Sequence, residues 1–143
     1  MKRGMLYFLC CFILSCSSEE ELIEEVSIDP IVGKWHYYSY TMADEETIYN
    51  ECKQKGYFLF NKDGTGENTP YWERDLNCYR DFSKKITWSL DNSTYLIKIY
   101  SQGGYGGVLS FPIIYQYYGE ISNDYLKIPV GNNETTNFVK RNN

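Results

Sequence analysis

The stretch Asp29-Pro30-Ile31-Val32-Gly33-Lys34-Trp35-His36-Tyr37-Tyr38-Ser39-Tyr40 divides the chain into two kinds of sequence. Before it lie a leader-like segment and an acidic run; after it, short aromatic runs alternate with turn residues. From Val32 to Met42 the residues alternate as a half-buried strand requires. Trp35, Tyr37, Ser39 and Thr41 fall on one face, and His36, Tyr38 and Tyr40 on the other.

Working outward, the same pattern recurs. Gly56-Tyr57-Phe58-Leu59-Phe60 is a short apolar strand that ends at Asn61-Lys62-Asp63-Gly64, whose Asp-Gly step signals a hairpin. Residues 67–72 form the returning strand, and residues 86–90 and 95–100 pair through Asp91-Asn92-Ser93. Residues 108–121 form a long aromatic strand with Pro112 near its start, which suggests an edge or a bulge. Strands over 125–130 and 135–141 follow, while Ala43 to Cys52 is polar and reads as a loop or a short helical turn. Aromatics make up 17% of the chain, with 15 tyrosines, and tyrosine favours strands while carrying an apolar face and a polar tip. These features predict an all-β domain, a small antiparallel up-and-down barrel of about eight strands, because closure removes exposed edges.

The first residues concern delivery. Met1-Lys2-Arg3 is a basic n-region and Met5 to Leu14 an apolar h-region too short to span a bilayer. It ends at Ile13-Leu14-Ser15-Cys16, which resembles the bacterial lipobox. That resemblance implies a lipoprotein signal peptide over residues 1–15 and a Cys16 carrying acyl chains such as palmitate; two or more chains make anchoring stable. An ordinary secretory leader that happens to contain Cys16 is the plainer alternative. Residues 16–29 form an acidic tether, with Glu19, Glu20, Glu21, Glu24, Glu25 and Asp29, that stays solvated. A Ser and acidic cluster directly after the acylated Cys is similar to the surface-export signal of Bacteroidetes lipoproteins. The expected location is therefore the outer membrane, lipid-anchored, facing either the periplasm or the cell surface.

Cys10 and Cys11 leave with the leader and Cys16 takes lipid, so Cys52 and Cys78 remain in the exported domain. An even pair in an oxidising compartment reads as a disulfide. The domain, residues 30–141, buries roughly 60% of its unfolded surface on folding, so such a staple is useful. Two cysteines without Cys-x-x-Cys spacing or nearby histidine make a poor metal site.

Taken in order, Asp29-Pro30-Ile31-Val32-Gly33-Lys34-Trp35, Phe60-Asn61-Lys62-Asp63-Gly64-Thr65, Ile86-Thr87-Trp88-Ser89-Leu90 and the closing Phe138-Val139-Lys140-Arg141 are similar to the bacterial lipocalin-like lipoproteins. The resemblance implies that Gly33 and Trp35 close one end of the barrel, with Lys140 or Arg141 near the indole as a cation–π partner. It also implies a non-enzymatic protein that binds a small apolar or amphipathic ligand at the opposite end. The chain is shorter than a typical lipocalin and shows no C-terminal helix. A side-chain-filled barrel serving as a protein- or glycan-interaction module is therefore the second reading.

No enzymatic motif competes. His36 is the only histidine and has no sequence partner for acid–base or metal chemistry. No serine sits in a nucleophile elbow. The carboxylates Glu45, Glu46, Glu73, Asp75 and Asp81 read as a solvated surface rather than a facing pair. Residues 61–67 superficially resemble a calcium loop but are flanked by strands, and Gly103-Gly104-Tyr105-Gly106-Gly107 leads into a strand rather than a helix, so it is no phosphate cradle. A mobile connection or a lid at the barrel mouth is its expected role. The net charge of −5 counts against nucleic acid. No cofactor and no metal are expected. Tyr71, Trp72 and Tyr79, in the segment that the disulfide closes, are the candidate contacts for a ligand or partner; the plainer reading is that they shield the disulfide.

Overall fold

The computed structural model describes residues 27–102, 112–131 and 133–141. The leader, Cys16, most of the tether and the Gly103–Gly107 loop lie outside them. Eleven strands and one helical turn are present among the described residues: β1 (Gly33–Met42), β2 (Glu45–Ile48), α1 (Glu51–Gln54), β3 (Tyr57–Phe60), β4 (Thr65–Thr69), β5 (Tyr71–Arg74), β6 (Asn77–Arg80), β7 (Lys84–Asp91), β8 (Thr94–Gln102), β9 (Pro112–Ser122), β10 (Tyr125–Gly131) and β11 (Glu134–Lys140). The main sheet runs β11-β10-β9-β8-β7-β4-β3-β1, and β1 pairs with β11 to close it into an eight-stranded antiparallel barrel; β2 is added beyond β1. β5 and β6 form a separate hairpin.

Alternation explains the core. Trp35, Phe58, Phe60, Ile86, Tyr95, Ile97, Leu126, Ile128 and Phe138 are buried in one cluster, each at an inward position of its strand. Burying a large apolar side chain of this kind contributes about 1.5–3 kcal/mol. The aromatic part is a chain of rings: Phe58 stacks on Phe60 at 5.7 Å and meets Phe138 edge-on at 5.2 Å. Strands β3, β4 and β7 approach so closely at Gly66 that a side chain there would collide with the Leu59 carbonyl and with Ile86.

Three expectations about elements change. The alternation of β1 does not run to Met42. A bulge between Tyr37 and Ser39 shifts the register against β11, so that Tyr37 faces Phe138 but Tyr40 faces Thr136. Ser39 and Thr41 thereby turn outward, where Asn137 donates to both hydroxyls and Ser39 donates to Glu46. The extra residue of a bulge inverts everything beyond it. Second, Glu45–Ile48 is a strand rather than a loop, joined to β1 through Ala43 and Asp44 at positive φ, and only Glu51–Gln54 is helical. Third, residues 67–72 are not one strand. The ladder breaks at Pro70, which lacks an N–H, and the chain leaves the barrel as the β5–β6 hairpin before it rejoins as β7.

The disulfide joins Cys52 of α1 to Cys78 of β6, with a Cα–Cα distance of 5.4 Å. It ties the hairpin to the helical turn beside one end of the barrel. Closing a 26-residue separation is worth about 3–4 kcal/mol in the chain-entropy model.

Candidate functional site

The two ends of the barrel differ in chemistry. At one end the incoming chain forms a plug. Ile31 is fully buried, and Asp29 Oδ1 accepts from the Ile31 N–H at 3.0 Å and from the Tyr95 hydroxyl at 2.7 Å. Burial, reinforced by that carboxylate, pushes the Tyr95 phenol up to about 12. Trp35 Nε1 donates to the Ile31 carbonyl at 2.7 Å, and Lys140 Nζ lies 5.4 Å from the indole centroid while donating to the Pro30 carbonyl at 2.9 Å. Gly33 has φ +127°, a conformation that favours glycine, and the end of the Lys140 stem lies over it, Cε 2.7 Å from where a Cβ would stand. Of the two basic residues at the chain end, Lys140 takes the place over Trp35. Arg141 reaches away, its Nη2 donating to Gln54 Oε1 at 3.1 Å.

At the other end the interior is hollow. A cavity of about 290 Å³ is lined by apolar side chains, Phe58, Ile99, Ile128 and Phe138, and by polar ones that include Tyr37, Asn68, Lys84 and Thr136. The size is at the lower limit of small-molecule sites. Asn68 Nδ2 donates to the Tyr37 hydroxyl at 3.1 Å and to the Tyr57 carbonyl at 3.3 Å, which fixes the polar part of the lining on the β4 side. Tyr49, which lines the neighbouring groove, reaches this lining from outside, its hydroxyl 3.4 Å from Thr136 Oγ1.

Outside the mouth, a groove of about 410 Å³ runs between β1–β2, α1 and β5, lined by Tyr40, Tyr49, Lys53, Tyr71, Trp72 and Glu73 among others. Trp72 and Tyr79 stack at 4.8 Å with both rings over two-fifths exposed. Tyr71 and Trp72 thus face the groove, and Tyr79 backs the indole. Asn50 caps α1 and also donates to Glu73 at 2.8 Å, joining turn to hairpin.

The remaining sequence candidates are engaged locally. His36 lies on the outer face of β1, its Nδ1 3.2 Å from the Gln54 carbonyl and its ring 5.8 Å from that of Tyr57. Burial foremost, and then the Arg141 and Lys34 cations, lower its pKa, so the ring is neutral near pH 7 with Nδ1 donating. Glu46 accepts from Ser39, Glu73 from Asn50 and Asp81 from the Phe82 N–H, while Asp75 pairs with Arg74 in solvent. Asp63 accepts from Thr65 N–H and Oγ1, which makes residues 61–65 a tight turn and holds its carboxyl below the usual range. Among the described residues no three His, Cys, Asp or Glu side chains gather as metal ligands.

The cavity residues Tyr37, Asn68 and Lys84 were not singled out by sequence reasoning, nor was Lys53 of the neighbouring groove. For Lys84 a signal existed: Lys84, Ile86 and Trp88 share one strand face, so the lysine continues an inward row. For Lys53 none did, because its place depends on the fold of α1.

An eight-stranded antiparallel barrel closed at one end by a Gly-x-Trp plug, and hollow at the other, defines a lipocalin-like class of binding fold. The lipocalin-like domain family model matches residues 31–140, and the chain belongs to that family. The matched span opens at the plug and ends on Lys140, so it is the barrel itself. No curated protein and no solved structure matches the chain.

Proposed function

We propose that this is a non-enzymatic, lipid-anchored protein of the cell envelope, held in the outer membrane through Cys16, whose barrel takes up a small apolar or amphipathic molecule at its open end. The observation that carries the binding reading is the cavity of about 290 Å³, lined by both apolar and polar side chains. Mass spectrometry of the natively purified full chain is expected to release a small molecule, and a hydrophobic dye is expected to bind. Val130 lines the cavity wall near the rim, so Val130→Trp should fill it and abolish dye binding with the far-ultraviolet spectrum unchanged. No released molecule and no dye binding would overturn the reading. The anchor reading rests on the lipobox resemblance; labelled palmitate should enter the wild type and not Cys16→Ser.

A second reading, a surface-displayed module that contacts a protein or glycan, has one observation in its favour. The hairpin carries Leu76, 94% exposed, at φ +61°, a conformation that bulky side chains avoid. Phe82, 89% exposed, and the Trp72–Tyr79 stack lie on the same excursion. Capture of a partner by the displayed protein should fall in Trp72→Ala and in Leu76→Asn; equal capture would remove this reading.

A further inference from the structure

The groove outside the barrel takes its aromatic lining from two separate parts of the chain. Tyr40 comes from β1 and Tyr49 from the link between β2 and α1, their rings 5.3 Å apart; Tyr71 and Trp72 come from β5. Tyr79 stacks on the Trp72 ring at 4.8 Å with the planes 23° apart, yet Trp72 is still 45% exposed. One face of the indole is thus backed by a ring and the other is left to the groove. This platform is fixed before any ligand arrives. Cys52 Sγ lies 3.3 Å from the Trp72 carbonyl oxygen, the disulfide joins α1 to β6, and Asn50 bonds to Lys53 N–H and to Glu73. A preformed surface spares the ligand the cost of ordering it.

The polar groups of the groove are mixed in sign. Glu73 uses one carboxylate oxygen on Asn50, and among the described residues the other has no partner. Lys53 brings Nζ over the rings of Tyr37, at 4.7 Å, and Tyr49, at 5.7 Å. Burial lowers its pKa, and the Glu134 carboxylate is the largest influence in the opposite direction, so this cation already has a counter-charge. The indoles of Trp35 and Trp88 each donate to a backbone carbonyl. Among the described residues the Trp72 N–H and the Tyr40 and Tyr71 hydroxyls have no such partner.

An occupant must therefore offer a flat apolar face together with both donors and acceptors. An alkyl chain would strip water from Lys53 and Glu73 and return no hydrogen bond. An anion would meet two carboxylates, Glu73 and Glu134, against one ammonium. A proline-rich peptide suits aromatic grooves but presents mainly carbonyl acceptors, which leaves Glu73 unanswered. A pyranose ring meets every demand: its C–H groups form an apolar face, and its hydroxyls donate and accept around the edge.

We infer that the groove binds a neutral glycan, one pyranose ring lying on the open face of Trp72 with its hydroxyls bonded to Glu73 and Lys53. This rests on the reading of the molecule as a surface-displayed module and names its partner as carbohydrate. At ~30 Å³ for each water-sized group, the groove's 410 Å³ takes about thirteen non-hydrogen atoms, one hexose with its substituents.

The test titrates the full chain in lipid nanodiscs, with protein-free nanodiscs as the blank, by calorimetry. The ligands are cellohexaose, laminarihexaose, maltohexaose, mannohexaose, xylohexaose and the anionic hexagalacturonate. At least one neutral hexasaccharide should bind, with a dissociation constant unchanged when salt is raised to about 0.5 M. Hexagalacturonate should not bind. Trp72→Ala should weaken the binding about tenfold or more, as loss of a central aromatic contact does. Glu73→Gln should weaken it about fivefold. Phe82→Ala, which removes a still more exposed ring outside the groove, should leave it unchanged. Binding that survives both Trp72→Ala and Glu73→Gln would overturn the site, and a preference for hexagalacturonate would overturn the neutral ligand. If no hexasaccharide binds while protein capture still depends on Trp72, the inference falls and the display reading stands with a protein partner. If neither occurs, both fall.

Discussion

Trp35 and Lys140 show how one residue pair closes a barrel. The indole fills the space under Ile31, its N–H is satisfied by a backbone carbonyl, and the ammonium covers its open face. Trp35→Ala would leave a void among Ile31, Phe58 and Phe60 with little freedom to collapse. Urea unfolding is expected to show a loss of ~3–5 kcal/mol, as for other core aromatics. Dye binding by the fraction that stays folded should persist, because Trp35 does not line the cavity. At this scale the sequence was readable in kind but not in detail. That a basic residue of the last strand meets Trp35 followed from resemblance; that it is Lys140 depends on the register of β1 against β11, which sets Lys140 opposite Trp35. His36, adjacent to Trp35, points out of the barrel, where its ring meets the Gln54 carbonyl of α1.

At the scale of elements, alternation and turn chemistry located most of the barrel strands, because each must bury one face. What they could not give was register. The bulge at Tyr38 carries no sequence signature, yet it turns Tyr40 towards the mouth and Ser39 away. Pro70 was visible, but its effect, ending β4 and sending out the β5–β6 hairpin, needed the neighbouring strand. The disulfide was inferred from cysteine parity, and its mechanical role was not: it holds α1, and with it Lys53, against the hairpin. The double variant Cys52→Ala/Cys78→Ala is expected to lose up to about 3–4 kcal/mol in chemical denaturation. In hydrogen exchange, protection should drop first in α1 and β5–β6 and least in β8 and β11. Uniform loss across the barrel would show that the staple supports the whole fold.

The whole molecule has a built-in response to alkali. Tyr37 and Tyr95, at opposite ends of the interior, are both held up to about 12. Between pH 10, where a free phenol titrates, and about 12 the unfolded chain has released protons that the folded chain still holds. Stability is therefore full below pH 10 and falls as pH rises towards 12, at up to ~1.4 kcal/mol per pH unit for buried Tyr37. A denaturation series from pH 8 to 11.5 should show this decline, and Tyr37→Phe should remove part of it. The lowered pKa of His36 acts at the other extreme: its contribution is present above pH 6.5 and is lost as pH falls below that value.

The plug also sets how the molecule bears a load. The chain enters at Asp29 and runs straight into β1, which is flanked by β3 on one side and β11 on the other. Tension on the amino-terminal end first meets the Asp29–Tyr95 and Pro30–Lys140 contacts, and then two ladders pulled along their length. Ladders loaded in shear break together rather than one rung at a time. A barrel hung by its sealed end would thus resist drag while its mouth stays free.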